Sequence, residues 1–366
     1  MSDKLYSKIL GCMVGNAIGD AFGGVVEFSD SERVRNIAGK LWVDEFLPYN
    51  KDFGIHPLGV WETGPPRGTG TDDTRNNHVF AECVIRNRGF INSQLLAIEY
   101  IERYRDREIF YPKHTDLAKG HFAWFYDASC SHLGMSERQS VKSGWSISEQ
   151  GNSFPMLLGL ISLAFAGLLY QADPDKAYRK AFDLAFMDIG YAKDATAMMA
   201  AMISAALGGN ISGREMVRIG IETDPFSYGE GRIMADRIRR FLLIADQANS
   251  DQDLIDRISG QVTHLHPYDP IDGLGVPVAA LYYSNGDPVR TIVMSANDRD
   301  LDENGILKRL RDVDCTAGIA GALVGALCGI EAFPQDWVED TLRSNRDVYR
   351  IDIEKNARRF YEAVFL

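Results

Sequence analysis

Residues 316–330 read TAGIAGALVGALCGI, a run in which almost every side chain is small or apolar. Glycine recurs at every fourth position in this run and in a second segment near the start of the chain, at Gly321, Gly325 and Gly329 and at Gly11, Gly15, Gly19 and Gly23. Residues four apart share one face of an α-helix, so both segments are predicted to be helices that approach their neighbours closely. Residues 157–170 and 195–207 are apolar on all sides, as expected of central helices. The sequence therefore predicts an all-α fold.

A membrane span is the alternative interpretation of the apolar run. Its fifteen residues make about 22 Å of helix, shorter than the ~30 Å hydrocarbon core of a bilayer. The charged Asp314 and Glu331 also bound it on either side. We expect a buried core helix and no membrane association.

Composition bounds the remaining possibilities. The chain has 366 residues, is 45% hydrophobic and shows no linker, repeat or low-complexity tract, so a single domain over residues 1–366 is expected. A net charge of −12 disfavours nucleic acid or an anionic membrane as a generic partner. Five cysteines without C-x-x-C spacing, together with a start that lacks a signal-peptide pattern, indicate a reduced, cytoplasmic location. Oligomeric state is left open.

Two short acidic segments lie almost a whole chain apart. Residues 71–74 read TDDT and residues 312–316 read DVDCT, so four aspartates are flanked by hydroxyl or thiol side chains. Carboxylate and hydroxyl oxygens suit Mg²⁺ or Mn²⁺, whereas zinc usually takes histidine or thiolate. Each segment also precedes a helical pattern, so simple N-capping is the alternative. Adjacent carboxylates at both places favour the cation interpretation, because without cations they repel one another.

Other common catalytic patterns are absent from the sequence. It contains no G-x-x-x-x-G-K-[ST], G-x-S-x-G or H-E-x-x-H motif. His264 and His266 alternate along the chain, but two histidines without a further His or Cys nearby favour loop structure over a metal site. The chemistry that remains is that of carboxylates and metal.

The chain resembles the ADP-ribosylglycohydrolases of the dinitrogenase-reductase-activating type. The resemblance rests on segments that follow one another in the family's order. The first half of the chain contributes GCMVGNAIGDAFG at 11–23 with Glu27, GTDDT at 70–74, and Gly151, Asn152 and Ser153 with Met156. The second half contributes Val276-Pro277, Ala296-Asn297, DVDCTA at 312–317, Pro334 and Trp337. It implies the family's compact orthogonal helical bundle. It also implies a hydrolase that uses two Mg²⁺ or Mn²⁺ ions to cleave the glycosidic bond between ADP-ribose and a protein side chain or related acceptor.

The resemblance also assigns residues. It implies metal ligands at Thr71, Asp72, Asp73, Asp312 and Asp314, with catalytic roles for Glu27, Asp73 and Asp314. The family's hydroxyl after the second aspartate falls on Cys315, and because a neutral thiol is a poor Mg²⁺ ligand, Thr316 or a water molecule is the expected last ligand. Gly151, Asn152 and Ser153 are expected to present free N–H groups to the pyrophosphate, with a plain turn and N-cap as the alternative. Asp20 is expected to be a buried structural group.

Some positions depart from the family's pattern. Where many members have a Thr-His pair, this chain reads DIGYAKD at 188–194, and the usual glycine before the second aspartate pair is Arg311. Residues 298–311 look inserted and are rich in charge, so a solvated loop or lid is expected there. Tyr191 and Trp145 are candidates for stacking on adenine, although most aromatic rings pack in a core.

Two further functions stay open. One is a member that keeps the fold but only binds ADP-ribose or serves structurally. The other is a metal-dependent enzyme that processes diphosphates, although a D-D-x-x-D motif would need an acidic residue where Asn76 stands.

Overall fold

The computed structural model describes residues 2–49, 64–106, 115–135, 155–262 and 266–366. Sixteen α-helices and one two-stranded hairpin make up this part of the chain, which confirms the all-α prediction. The first helices are α1 (Ser2–Gly24), α2 (Ser31–Ala38), α3 (Asp72–Arg86), α4 (Ser93–Arg105), α5 (Thr115–His132), α6 (Leu158–Ser162), α7 (Pro174–Leu184) and α8 (Tyr191–Leu207). The later elements are α9 (Gly213–Glu222), α10 (Ile233–Gln247), α11 (Asp251–Gln261), α12 (Pro270–Ser284), α13 (Pro288–Ser295), β1 (Arg299–Leu301), β2 (Leu307–Leu310), α14 (Val313–Cys328), α15 (Gln335–Tyr349) and α16 (Ile353–Phe365).

Helices α1 and α14 pack antiparallel with their backbones in contact. A Cβ atom placed on Gly15 would lie 2.3 Å from the carbonyl oxygen of Gly321, and one on Gly321 would lie 1.8 Å from the carbonyl oxygen of Gly15. No side chain fits at these distances, so the two predicted glycine faces meet each other. Farther along α1, Gly23 faces the backbone of Val313. This packing brings the end of α1 beside the start of α14.

The core is formed around this pair. One cluster of buried apolar side chains extends from Ile9 in α1 to Phe360 in α16. Helix α8 is buried along nearly its whole length, as predicted for residues 195–207. Within the described ranges, no helix combines the length and apolar character needed to span a membrane.

The predicted continuous helix at residues 157–170 is interrupted. Helix α6 ends at Ser162, and a separate 3₁₀ turn covers Ala166–Leu169. The buried side chain of Asn77 lies at the break, where its amide donates to the Ile161 carbonyl (2.7 Å) and its oxygen accepts from the Ala164 N–H (3.0 Å). The Asn77 side chain thus takes the place of a helical hydrogen-bond partner for these two backbone groups. The apolar pattern of residues 157–170 does not reveal this contact, because Asn77 lies on another helix.

The segment at residues 298–311, predicted to be a solvated loop or lid, is a hairpin that is exposed in some parts and buried in others. Strands β1 and β2 pair antiparallel there, with Arg299 opposite Leu310, and only the turn at residues 302–306 is continuously exposed. Asp298, Arg299 and Arg311 are buried. Arg311 forms an ion pair with Asp272 of α12 at 2.8 Å, which compensates for the burial of the Arg311 charge.

Candidate metal centre

Asp20 of α1 fixes the start of α3. Its carboxylate accepts hydrogen bonds from the backbone N–H of Thr71 (2.9 and 3.0 Å), the backbone N–H of Thr74 (2.9 Å) and the Thr74 hydroxyl. Asp20 is fully buried. These contacts satisfy N–H groups at the N-terminus of α3 from outside the helix. The expected structural role of Asp20 is therefore confirmed.

The two acidic segments meet where α3 and α14 begin. The Thr71 hydroxyl donates to Asp314 Oδ2 at 3.1 Å, and the other oxygen of Asp314 accepts from the Cys315 N–H at 2.8 Å. Thr71 also caps α3 by accepting from the Asp73 N–H at 3.4 Å. Capping and convergence of the two segments therefore occur together at Thr71.

Two overlapping groups of atoms that could bind a metal ion result. One consists of oxygens from Glu27, Asp312 and Asp314, and the other of oxygens from Asp73 and Asp314 with the sulfur of Cys315. Within each group the ligating atoms all lie within 4.8 Å of one another, and every member is buried. Asp314 belongs to both groups, so its carboxylate could take part in holding a metal ion in either one.

The electrostatics of the centre oppose full ionisation of its carboxyls. Burial raises the pKa of Glu27, Asp73 and Asp314 well above the ordinary range, and the neighbouring carboxylates raise it further. Burial also raises the pKa of Asp312, to about 6, while a hydrogen bond with Glu27 limits the rise. Positive charge at this place would relieve the repulsion.

Two carboxylate oxygens lack a hydrogen-bond donor within the described ranges. Asp73 Oδ1 and Asp312 Oδ2 are both buried, in side chains that are 2% and 5% exposed. An unsatisfied buried carboxylate oxygen is costly unless a cation or donor pairs with it. The two atoms belong to residues of different groups. The residues present therefore fit the binding of metal at this centre.

The remaining predicted residues take different places. Asp72 is half-buried, and its charge acts on Glu27, Asp73 and Asp312. The Thr316 hydroxyl donates to the Ser295 carbonyl at 2.9 Å, whereas the neighbouring Cys315 contributes its sulfur to a ligand group. The predicted pyrophosphate contacts Gly151, Asn152 and Ser153 lie outside the described residues, as do Trp145 and His264.

One aromatic residue beside the centre was not predicted. Burial raises the pKa of Tyr268, and the nearby charges of Asp312 and Glu27 raise it further. The Tyr268 ring lies edge-on to Phe28, with ring centroids 6.1 Å apart. His266 accepts from the Tyr268 N–H at 3.2 Å, and its other ring nitrogen lies 2.9 Å from the Pro155 carbonyl oxygen, so this histidine is loop structure as expected. No periodic pattern marks residues 262–269 in the sequence.

Tyr191, the other described candidate for adenine stacking, makes a contact within the fold. Its hydroxyl donates to Asp269 at 3.0 Å, and the same carboxylate caps α12.

Asp188, where the sequence departs from the family's pattern, also makes contacts within the fold. Asp188 accepts from the Gly159 N–H and from the Thr196 hydroxyl, both at 2.9 Å.

Comparison with known proteins agrees with this geometry. The family model described as ADP-ribosylglycohydrolase matches residues 1–365. The chain belongs to the ADP-ribosylglycohydrolase family. Among solved structures, an "ADP-ribosylglycohydrolase-related protein complex" aligns over 99% of this chain and 100% of its own, with a TM-score of 0.61 and 19% identity, which shows the shared fold. A search of curated proteins found no matching sequence. Membership supports hydrolase activity of the ADP-ribosylglycohydrolase type and agrees with acidic groups that could hold metal.

Proposed function

We propose that this protein is a Mg²⁺- or Mn²⁺-dependent hydrolase that cleaves the glycosidic bond between ADP-ribose and an acceptor, either a protein side chain or a related conjugate. The observation that carries the proposal is the contact between Thr71 and Asp314, which joins the two acidic segments into one buried centre. The unsatisfied oxygens of Asp73 and Asp312 in that centre support a cation-binding role.

The metal ligands proposed are Thr71, Asp72, Asp73, Asp312 and Asp314, with the last position on Cys315 or Thr316. When bound, the two cations supply the positive charge that holds ribose hydroxyls and polarises a water molecule. Gly151, Asn152 and Ser153 stay the proposed pyrophosphate contacts.

Glu27 is the proposed acid–base residue. Hydrolysis breaks the bond between the anomeric carbon and the acceptor atom, forms a bond from that carbon to a water oxygen, and transfers one proton from the water to the leaving group. Glu27 follows the last turn of α1 and shares a hydrogen bond with Asp312, so its carboxyl can hold a proton at the edge of the centre. Asp73 and Asp314 act in the same step by fixing the reacting groups.

The test is release of ADP-ribose from arginine-linked and serine-linked peptides and from free conjugates, with Mg²⁺, with Mn²⁺ and with excess EDTA. We expect release from at least one substrate, dependence on metal, and loss of release in Asp314→Asn. Asp347→Asn on the exposed face of α15 is the matched control and should behave as wild type. Full turnover by metal-free protein would contradict the proposal. Tight binding of ADP-ribose without release from any substrate would favour a non-catalytic binding protein.

A further inference from the structure

The chain contains two Asn-Gly pairs, Asn285-Gly286 and Asn304-Gly305. Asparagine before glycine is chemically labile, because glycine has no Cβ and its backbone nitrogen can approach the asparagine side chain closely. Both pairs consist of the same two residues, so a difference in their reactivity must come from the flanking residues or from the fold. The structure places the two pairs in opposite environments.

The first pair closes helix α12 and is held firmly. Asn285 is the C-cap of α12 in the left-handed conformation, and its side-chain oxygen accepts from the Arg214 N–H at 3.5 Å. Gly286 is buried, and its N–H donates to the Leu281 carbonyl at 3.0 Å. A Cβ atom on Gly286 would lie 2.6 Å from the side chain of Leu327 in α14. The nitrogen of this glycine can therefore react only if the corner between α12 and α13 opens.

The second pair lies at the tip of the hairpin formed by β1 and β2. Residues 302–306 are all exposed, and a Cβ atom on Gly305 would meet nothing within 4 Å. The Asp302 carboxylate accepts from the N–H groups of Asn304 (2.9 Å) and Ile306 (2.8 Å). The Asp302 carbonyl accepts from the Gly305 N–H at 3.0 Å. These hydrogen bonds all lie within one exposed turn, so a local opening at low cost frees the Gly305 nitrogen.

We propose that Asn304 is a site of spontaneous deamidation in the folded protein and that the fold protects Asn285. The Gly305 nitrogen attacks the side-chain carbonyl carbon of Asn304 and gives up its proton. A cyclic imide forms as the bond from that carbon to the amide nitrogen breaks, and ammonia leaves with the proton. Water then adds to one of the two imide carbonyl carbons and breaks its C–N bond, which leaves an aspartyl or an isoaspartyl residue.

Either product changes the turn. The new carboxylate joins those of Asp302 and Glu303, which are both exposed, and like charges this close repel one another. An isoaspartyl residue also inserts an extra carbon into the main chain, which disrupts the hydrogen bond from Gly305 to the Asp302 carbonyl. We therefore expect the modification to loosen the turn between β1 and β2.

Peptide mapping by mass spectrometry tests both pairs in one sample. The full chain is incubated in its folded state at mildly alkaline pH, and deamidation is followed by the mass increase from replacement of NH₂ by OH. We expect the peptide that carries Asn304 to convert at least about tenfold faster than the peptide that carries Asn285, because the buried Gly286 needs a larger opening. Asn304→Gln is the control and should abolish the change in that peptide, because ring closure from the longer side chain is slower.

A second incubation in concentrated urea removes the effect of the fold, and the two rates should then become similar. Conversion of Asn285 as fast as that of Asn304 in the folded protein would overturn the proposal. An Asn304 peptide that stays unmodified when folded, while it converts in urea, would show that the turn protects it and would also overturn the proposal. A tenfold difference that persists in urea would assign the selectivity to the flanking residues and contradict the role of the fold.

Discussion

The Thr71 hydroxyl donates a 3.1 Å hydrogen bond to Asp314, a residue 243 positions later in the chain. The contact links the start of α3 to the start of α14, and both starts carry carboxylates that repel one another. Cations between them would turn this repulsion into attraction, so the stability of the protein should depend on metal.

Asp314→Asn is expected to abolish the metal dependence of stability. Metal at 100 times its dissociation constant adds about 2.7 kcal/mol to the free energy of unfolding of wild type, and the variant should lose most of this gain. Activity should fall about 100-fold or more. Loss of a residue that only hydrogen-bonds to a metal ligand typically costs about 10–100-fold, and Asp314 is proposed as a ligand itself. The metal-free variant should be as stable as wild type, since one buried like charge is gone. Differential scanning calorimetry with and without Mn²⁺ measures the metal-dependent shift in Tm. An unchanged shift in the variant would favour the alternative that the acidic segments serve only as helix N-caps.

Gly15→Ala should force α1 and α14 apart, because its new methyl group would lie 2.3 Å from the Gly321 carbonyl oxygen. We expect a loss of about 1–3 kcal/mol in the free energy of unfolding, together with weaker metal binding as Glu27 moves relative to α14. Gly260→Ala in α11 is the matched control, because a Cβ there meets nothing within 4 Å. That control should be neutral or stabilise by about 0.5–1 kcal/mol. Urea denaturation compares the two, and equal effects would contradict the close-packing argument.

Asp188 should make stability fall as pH rises. Burial raises its pKa to about 7, so the native state keeps a proton that the unfolded state releases near pH 4. Between these values the native protein binds more protons, and the free energy of unfolding therefore decreases with increasing pH. Asp188→Asn should flatten this dependence by on the order of 3 kcal/mol between about pH 4 and pH 7. Chemical denaturation across this range provides the measurement, and parallel pH curves for variant and wild type would refute the assignment.

Arg311→Ala should leave buried carboxylates without their cation. Arg311 pairs with Asp272 at 2.8 Å and with Asp300 at 3.4 Å, and breaking a buried pair by removing one partner costs about 3–5 kcal/mol. Arg240→Ala removes an exposed pair with Asp236 and should cost no more than about 1 kcal/mol. Adding Asp272→Asn to Arg311→Ala should recover part of the loss in thermal or urea unfolding. A double variant less stable than Arg311→Ala alone would show that Asp272 is not the uncompensated charge.

The sequence predicted that the two acidic segments lie at helix starts and come together, and the structure places them so. Asp73 and Asp314 were recognisable because adjacent carboxylates exceed what a helix cap needs. The hydrogen bond from Thr316 to the Ser295 carbonyl was not predictable, because Ser295 lies at the end of another helix. Tyr268 lies in an aperiodic connection, so its approach to Glu27 and Asp312 depends on tertiary packing.

The charged segment at residues 298–311 shows that local composition does not predict which charged residues are buried. Its charge content predicted exposure, yet the partner that permits burial of Arg311 is Asp272 on another helix. Local composition carries no information about a counter-charge that is distant in the chain. The interruption between α6 and the following 3₁₀ turn has the same origin, because its cause is Asn77 on α3.

The four-residue spacing of glycine on α1 and α14 makes their alignment ambiguous. A slip by one repeat, about 6 Å along the axis, would again place glycine against glycine and preserve most of the packing. It would also separate Glu27 from Asp312 and dismantle the centre. The buried side chain of Asn16 links three helices in the alignment observed, because it donates to the Gly318 carbonyl of α14 at 3.0 Å and accepts from Asn77 of α3 at 3.1 Å. The geometry of the centre thus depends on how far one helix is displaced along another, and a displacement that costs little packing would disperse the carboxylates.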